Sequence, residues 1–537
     1  MKYILIFFST LVIWSCDSKI TVDTLVTNAN VYTVNENFDK AEAFAINDGK
    51  ILDVGTSKAL QKKYNAKQQI DANSQTILPG LIDAHCHFLG LGYNQFELDL
   101  VGTKSFDALV KRVINYQETQ HLDFIIGNGW DQNHWDDHTL PDNVLLSKLF
   151  PETPIILRRI DGHAILCNDA ALKLANITAK TNIEGGEIIL KKGLPTGVLV
   201  DNAMRLMDDY WPIPNTAKKI KALLMAQDIC LKNGLTTVSD AGLNPEDIQL
   251  IDSLQQTGDL QMRVYAMAMA SQENLDYYLG TGIVKTEKLN MRSFKFFADG
   301  SLGSRGAALR KSYSDQANHF GMILSPLSDF NAMATRVANS NFQLNTHAIG
   351  DSTNHVVLQT YKRVLKGQKD RRWRVEHAQI LAPEDFKLFN DIVPSVQPTH
   401  ATSDMYWAEE RLGAERIKTA YAYKQLLNAH GKIALGTDFP VEKVSPFLTF
   451  YAAVGRQDIH QFPEDGFQKE NALTREEALR GMTIWAAYAN FEDQEKGSIE
   501  IGKYADFIIL DTDIMTMPLN DIPNIKVKNV FINGVVQ

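Results

Sequence analysis

Residues 78–87, Leu78-Pro79-Gly80-Leu81-Ile82-Asp83-Ala84-His85-Cys86-His87, form an apolar segment that ends in two histidines. The segment predicts a buried β-strand, which we place at Thr76–Phe88. Side chains alternate along a strand, so His85 and His87 are expected on one face and Cys86 on the other. Two imidazoles on one face can chelate a metal ion. A single His-x-His pair is weak evidence, so the hypothesis depends on finding further ligands along the chain.

Seven more strand candidates follow this one, most of them separated by amphipathic stretches long enough for a helix. They are Leu235–Ala241, Arg263–Ala270, Arg292–Asp299, Gln343–Ile349, Trp373–Gln379, Ile392–His400 and Lys432–Phe439. Eight such units predict an α/β fold, a (β/α)8 TIM barrel over residues 79–489. The connection between the first two strands is far too long for one helix, which predicts an inserted subdomain at about residues 99–205.

Both ends of the chain are rich in β-forming residues. The turn Asp48-Gly49 lies between apolar runs near the start, and Asn533-Gly534 is a similar hairpin turn near the end. Two β-rich pieces outside one central domain can pair with each other. We therefore expect a small composite β-sandwich made of residues 17–78 and 490–537.

The first residues have the pattern of an export signal. Lys2 precedes an apolar run, Tyr3–Trp14, that is too short to span a bilayer but suits a signal peptide. The run ends just before Cys16, which resembles a bacterial lipoprotein signal over residues 1–15 with lipidation of Cys16. This predicts a cell-envelope lipoprotein, facing the periplasm and anchored to a membrane. The alternative is an ordinary secretory signal with a coincidental cysteine.

Composition limits the remaining classes of protein. Hydrophobic residues make up 45% and charged residues 22%, the balance of a soluble globular body. The net charge is −10, and no basic stripe runs along the chain, which argues against binding of nucleic acid. Three scattered cysteines besides Cys16 do not form a disulfide framework.

Further metal-ligand residue types stand at the ends of the later predicted strands. They are Lys295, His347, His377 and Asp438. Each residue alone has an ordinary structural explanation: His377 beside Glu376 fits a buried pair, and Asp438 after Gly436-Thr437 fits a turn. In a barrel, however, the carboxyl ends of all strands meet at one rim, where active sites of this fold lie. Agreement of five positions on successive strands therefore favours a metal site.

This set of residues, in this order, resembles the amidohydrolase superfamily. Other motifs are similar to amidohydrolase family 3, the branch that includes the N-substituted formamide deformylases. They are Gly129-Trp130-Asp131, Arg159-x-Asp161-Gly162-His163, Lys295-x-Phe297-x-Asp299-Gly300-Ser301-x-Gly303-Ser304-Arg305, Gln397-Pro398-x-His400 and 497–506. The resemblance covers nearly everything after the predicted signal.

The resemblance implies a role for each matching position. His85, His87 and Asp438 would bind one metal ion, His347 and His377 a second, and a carboxylated Lys295 would bridge the two. Zinc, as one or two ions, is the expected cofactor because imidazole and carboxylate ligands suit it. Asp438 is the expected catalytic proton carrier. Candidates for contact with the substrate are His163, Arg305, His400 and Trp130.

The resulting hypothesis is metal-dependent hydrolysis of a carbon–nitrogen bond other than a peptide bond, in an amide, N-formyl or N-acyl compound. A deaminase or cyclic amidase of the same superfamily is the alternative enzyme, since the ligand set does not fix the substrate. A cell-envelope binding protein that has lost catalysis is the alternative from another class. The expected partners are a small molecule and a membrane, and a homo-oligomer is compatible with this hypothesis.

Overall fold

A computed structural model describes residues 19–537, so the predicted signal peptide and Cys16 lie outside the described residues. At the centre, eight strands run parallel to their neighbours in one sheet. In chain order these barrel strands are Leu81–Cys86, Leu235–Leu243, Arg263–Met269, Leu289–Phe297, Gln343–Ala348, Arg374–His377, Val393–Val396 and Ala434–Leu435. The predicted (β/α)8 TIM barrel with additional sheets is confirmed.

The barrel closes where the chain after the short eighth strand runs beside the first strand. The backbone N–H of Asp438 donates to the carbonyl of His85 at 2.8 Å, and the N–H of His87 donates to the carbonyl of Phe439 at 2.8 Å. These two bonds place the carboxylate of Asp438 beside both histidines of the first strand.

Helices surround the barrel and cover its outer face. They are Phe88–Asn94, Thr216–Lys232, Pro245–Thr257, Gln272–Thr281, Leu327–Ala338, Asp351–Leu365, Pro398–Asp404, Ala408–Arg416, Tyr423–His430, Pro446–Gly455, Arg475–Gly481 and Ile484–Ala489. Apolar residues of strands and helices form one large core, to which Val264, Leu344, Val375 and Leu426 belong. Within residues 19–537, every helix is too short or too polar to cross a bilayer.

The first, seventh and eighth strands are shorter than predicted; the eighth covers Ala434–Leu435 and not Lys432–Phe439. Thr76–Phe88 divides at Gly80: Thr76–Pro79 belongs to a terminal sheet, and only Leu81–Cys86 belongs to the barrel. A Cβ at position 80 would lie 2.3 Å from Oγ1 of Thr236, so the chain crosses between the sheets at a residue without a side chain. The predicted seventh strand ends at Val396 because Pro398 begins a helix.

The long connection between the first and second barrel strands forms its own six-stranded sheet, called the insert here. In spatial order its strands are Gly186–Lys191, Leu194–Asp201, Ala164–Cys167, Ile155–Arg159, Ile125–Trp130 and Leu98–Asp99. Helices Phe106–Gln120, Val144–Leu149 and Asp169–Leu174 accompany the sheet. Its own apolar core includes Val113, Trp130, Leu157 and Val198.

Strands from both ends of the chain form two further sheets. One contains Lys50–Gly55, Ala43–Asn47, Ile20–Thr27 and Tyr64–Asp71; the other contains Val535–Val536, Val527–Ile532, Phe507–Leu510, Thr76–Pro79, Asn30–Tyr32 and Lys40–Ala41. Phe507–Leu510 pairs antiparallel with Thr76–Pro79, which joins the two ends directly. Phe44 of the first sheet and Phe507 of the second pack with ring centroids 5.0 Å apart, within one shared apolar core.

Candidate metal centre

His85, in the first barrel strand, and His87, just after it, direct the same ring atom toward Asp438. Nε2 of His85 lies 3.4 Å and Nε2 of His87 lies 3.2 Å from Oδ1 of Asp438. Each ring is held at its other nitrogen: Nδ1 of His85 lies 2.6 Å from a carboxylate oxygen of Glu376, and Nδ1 of His87 lies 3.0 Å from the carbonyl of Ala241. Both imidazoles therefore present Nε2 to one common point.

Lys295 reaches the same point from the fourth strand. Its Nζ lies 3.1 Å from Nε2 of His85, and its side chain is completely buried. Burial lowers the pKa of Lys295 to about 8, and burial together with this ammonium lowers the pKa of His85 to about 4. A neutral imidazole is the form that binds metal ions, so the surroundings of His85 favour that role.

Three more histidines extend the cluster across the rim of the barrel. The ring centroid of His377 lies 4.9 Å from that of His85 and 4.5 Å from that of His347. The ring of His400 stacks on His377 with centroids 5.8 Å apart, and Nε2 of His400 lies 3.7 Å from Oδ2 of Asp438. Burial and the neighbouring His347 hold the pKa of His377 well below its usual range.

Two groups of three side chains are arranged to hold a cation, and Asp438 belongs to both. The groups are His85, His87 and Asp438, and His377, His400 and Asp438, with ligand atoms within 4.8 Å of one another in each. The structure does not bring His347 into either group, since its Nε2 lies 3.4 Å from the carbonyl of Gly300. The resemblance assigns His347 to the second metal, and its ring lies nearer that of His377 than the ring of His400 does, so the ligand role of His347 stays a prediction.

Buried polar atoms without partners support a cation at this place. Within residues 19–537, Nδ1 of His377, Nε2 of His400 and Oδ1 of Asp438 are buried and have no hydrogen-bond partner. A buried polar atom without a partner costs free energy, and these three belong to one cluster of imidazole and carboxylate donors. The donor set therefore fits a divalent metal ion such as zinc.

Backbone strain occurs at two of these ligand positions. His377 has a φ of 72° and Asp438 a φ of 63°, both in the left-handed region that non-glycine residues seldom adopt. Such conformations persist only where the surrounding structure enforces them, and they concentrate at functional sites. The strain at the ends of the sixth and eighth strands turns both side chains into the rim of the barrel.

The insert contributes His163 to this rim. Its Nδ1 lies 2.8 Å from Oδ1 of Asp201, and its ring centroid lies 5.0 Å from that of His347. The carboxylate of Asp201 packs against glycines 300 and 306, where a Cβ would lie within 2.3 Å of it. The insert thus forms a fixed wall of the site.

The other two predicted substrate residues lie elsewhere. Trp130 is completely buried in the core of the insert, where its indole N–H donates to the carbonyl of Leu157 at 2.8 Å. Arg305 forms an ion pair with Asp315 at 2.7 Å, which orders the loop after the fourth strand. Neither residue lines the cavity at the rim.

That cavity has a volume of about 1320 Å³ and lies between the barrel rim and the insert. Its lining includes His87, Lys295, His347, His377 and Asp438, together with His163 and His400, whereas His85 is completely buried. Two acidic residues that the sequence analysis did not select, Asp404 and Glu442, also line it. The cavity is large enough for a small organic substrate to contact the metal centre and the insert together.

Sequence reasoning missed Glu376 as a functional residue. Strict alternation would place Glu376 and His377 on opposite faces of the sixth strand. The positive φ of His377 breaks this alternation, so both side chains contact His85. The available signal was a charged pair, Arg374 and Glu376, within a strand that the fold requires to be buried.

Comparisons with known proteins agree with this geometry. A model of the amidohydrolase family matches residues 68–537. Protein LONG AFTER FAR-RED 3 of Arabidopsis thaliana is 32% identical over 532 residues, covering 95% of this chain and 90% of the plant protein. N-substituted formamide deformylase of Arthrobacter pascens is 26% identical, covering 96% and 98%. The crystal structure of an uncharacterized metal-dependent hydrolase from Pyrococcus horikoshii superimposes with a TM-score of 0.75 at 25% identity, covering 92% and 99%.

Proposed function

The chain belongs to the amidohydrolase family and is a metal-dependent hydrolase, and from this premise we propose that it uses zinc to hydrolyse the carbon–nitrogen bond of a small N-formyl or N-acyl compound. The observation that carries the proposal is the convergence of buried imidazole and carboxylate atoms around Asp438. The similarity to a formamide deformylase over nearly the full length of both chains supports this choice of bond.

The residues that would hold zinc are His85, His87 and Asp438 on one side and His377 with His400 or His347 on the other. When bound, zinc lowers the pKa of water to about 7 and polarises the scissile carbonyl. One or two ions fit this ligand set. His87 is half-buried and faces the cavity, so water and substrate reach the centre from that side.

Asp438 is placed to carry the proton that hydrolysis must move. Burial alone would raise the pKa of Asp438, but its contact with His87 holds it well below its usual range. The carboxylate is therefore ionised and able to accept a proton from the attacking water. It then delivers the proton to the leaving nitrogen, which an amide requires because its anion is a very poor leaving group.

We propose further that Lys295 is carboxylated. The neutral amine attacks carbon dioxide, a C–N bond forms, and one proton is released to give a carbamate. Complete burial favours this reaction, because it lowers the pKa of Lys295 to about 8 and so increases the neutral fraction. A carbamate at this position supplies a second anionic ligand beside His85.

His163 is the proposed contact to the substrate from the insert. Its ring lines the cavity and is fixed through Nδ1 by Asp201. The carboxylate of Asp201 raises the pKa of His163 against the effect of burial, and the protonated ring can donate from Nε2 to the oxygen of the reacting carbonyl. Its role is to orient the substrate and stabilise negative charge.

The purified enzyme tests the proposal directly. Metal content is measured by atomic emission, and activity is assayed on N-substituted formamides, N-acyl amino acids, lactams and aminopurines. Zinc with release of formate or a carboxylic acid supports the proposal. Release of ammonia from aminopurines identifies a deaminase instead, and bound zinc without turnover of any class overturns the proposed substrate.

We also propose that the enzyme is exported and anchored through a lipid on Cys16, with the barrel facing the periplasm. The support is the sequence pattern of residues 1–16 alone.

A further inference from the structure

A buried ion pair lies directly beneath the candidate metal centre. Glu376 and Arg374 have no exposed side-chain surface, and Nε of Arg374 lies 2.7 Å from Oε1 of Glu376. The interior of such a barrel is normally filled by branched apolar side chains. Burying two charges there is costly unless they have a specific use, since a well-packed apolar pair is often as stable.

The other oxygen of Glu376 contacts a candidate metal ligand. Oε2 lies 2.6 Å from Nδ1 of His85, whose Nε2 faces Asp438 and Lys295. The guanidinium of Arg374, beside the same carboxyl, supplies its counter-charge and favours a carboxylate. This carboxylate accepts the Nδ1 proton of a neutral imidazole, which leaves the Nε2 lone pair free.

The two histidines of the His-x-His pair differ in this respect. Nδ1 of His87 is bonded to an uncharged backbone carbonyl, that of Ala241. At Nδ1, only His85 has an anionic partner in this pair. A carboxylate bonded to Nδ1 makes the opposite nitrogen a stronger donor to a metal than a carbonyl does.

Arg374 is itself fixed from several sides. Its two terminal nitrogens donate to Oδ1 of Asn490 at 3.1 Å, to Oγ of Ser395 at 2.9 Å and to the carbonyl of Ala84. Ala84 directly precedes His85, so Arg374 holds both the strand and the carboxylate. Its guanidinium leaves Glu376 little freedom to turn away from His85.

We propose that Glu376 is a positioning residue for the metal centre: it fixes the tautomer and orientation of His85 and strengthens its bond to the cation, and Arg374 holds Glu376 in place. The inference rests on the metal dependence of the proposed function but not on its substrate. It assigns the buried pair to metal affinity and not to fold stability alone.

The test compares the zinc affinity of the metal-free wild-type enzyme with that of E376Q, by competition with a chromophoric chelator. Gln keeps the size and an acceptor oxygen but removes the charge. We expect zinc to dissociate about 10–100-fold more readily from E376Q. The matched control is E492Q, which removes another buried, ion-paired glutamate, one that contacts Lys285 and Lys496 and no candidate ligand. Its zinc affinity should equal that of the wild type.

Equal zinc affinity in folded E376Q and wild type overturns the inference and leaves Glu376 a structural residue. Should E376Q fail to fold, the wild-type enzyme answers the question by NMR with labelled histidine: zinc-bound His85 must carry its proton on Nδ1, and a proton on Nε2 refutes the assignment. A wild-type enzyme that binds no zinc contradicts the proposed function itself, so the two failures are distinct.

Discussion

Gly436 lies against the backbone of His85 at the seam where the barrel closes. A Cβ at position 436 would lie 2.5 Å from the nitrogen and 2.9 Å from the oxygen of His85, and 2.8 Å from Oδ1 of Asp83. The same carboxylate of Asp83 accepts the N–H groups of His85 and Thr437. The absence of a side chain at 436 therefore brings Asp438 within reach of the His-x-His pair.

G436A should separate the first strand from the segment that carries Asp438. Because the atoms in the way are backbone and a buried carboxylate, they cannot move aside cheaply, and we expect a loss of about 2 kcal/mol or more in the free energy of unfolding. Zinc content should fall as well. Urea unfolding of the metal-free protein and metal analysis measure the two effects.

The matched control is G280A, near the end of helix Gln272–Thr281. A Cβ at position 280 meets nothing within 4 Å. This change should be neutral or stabilising by up to about 1 kcal/mol, as helix propensity predicts. A G436A protein as stable and as rich in zinc as G280A would show that the seam tolerates a side chain.

Replacement of Lys295 tests the carbamate. K295A should bind less zinc than the wild type and lose at least about 100-fold in kcat, because one anionic ligand disappears. A small carboxylate such as formate, added to K295A, should occupy the space and restore part of the activity. Metal-free wild type reconstituted with zinc should need bicarbonate for full activity. Full activity of K295A, or reconstitution that ignores bicarbonate, would rule out the carbamate.

Part of this architecture follows from sequence and part does not. The barrel was predictable because parallel strands leave apolar runs between helices, and the histidines at strand ends mark one rim. The break at Gly80 was not predictable, since its close contact with Thr236 depends on the tertiary structure. Nor was the helix at His400 foreseen, although Pro398 is the signal for its start. The metal-ligand roles stay a prediction.

Strained residues explain why the details of the site escaped the sequence analysis. The alternation of side chains fails at His377 because its φ is positive, and for this reason the sequence did not predict the role of Glu376. The approach of His163 depends on how the insert packs on the loop after the fourth strand, where glycines 300 and 306 admit the carboxylate of Asp201. Contacts of this kind join segments far apart in the chain, and no local pattern encodes them.

His163 should affect catalysis without affecting the metal. H163Q removes the proposed donor to the substrate, and we expect kcat to fall by about 100-fold with zinc content unchanged. D201N removes the charge that holds the ring, and its kcat should lie between those of H163Q and the wild type. H134Q is the control, because His134 lines the outer part of the same cavity and is half-exposed. Loss of zinc from H163Q would make His163 a ligand instead.

Cys16 should determine where the enzyme is found. In a bacterial host, the full chain should take up labelled palmitate and sediment with membranes, whereas C16S should do neither. Both proteins should be exported from the cytoplasm, whether the first residues form a lipoprotein signal or an ordinary secretory signal. A C16S protein that still carries lipid, or a wild type without lipid in the soluble periplasmic fraction, would favour the ordinary secretory signal.

Glu492 gives a prediction on the pH dependence of stability that is independent of the metal. It is buried near the amino-terminal ends of the barrel strands, with Lys285 at 2.9 Å and Lys496 at 2.8 Å. Burial alone would raise the pKa of Glu492, but the two lysines outweigh it and lower the pKa to about 2 from 4.5. A carboxyl whose folded pKa is depressed stabilises the fold above its unfolded pKa and loses that effect in acid.

E492Q should therefore cost about 3 kcal/mol in the free energy of unfolding at pH 7, because two buried ammonium groups lose their counter-charge. The difference from the wild type should be constant above pH 4.5 and shrink as the pH falls from 4.5 toward 2, where the wild-type carboxyl takes up its proton. Urea unfolding of the metal-free proteins across this range measures the difference. E415Q is the control: Glu415 is 86% exposed in its pair with Lys418, so its loss should cost at most about 1 kcal/mol. If the cost of E492Q matches that of E415Q, or persists unchanged in acid, the lysines do not stabilise the ionised form of Glu492.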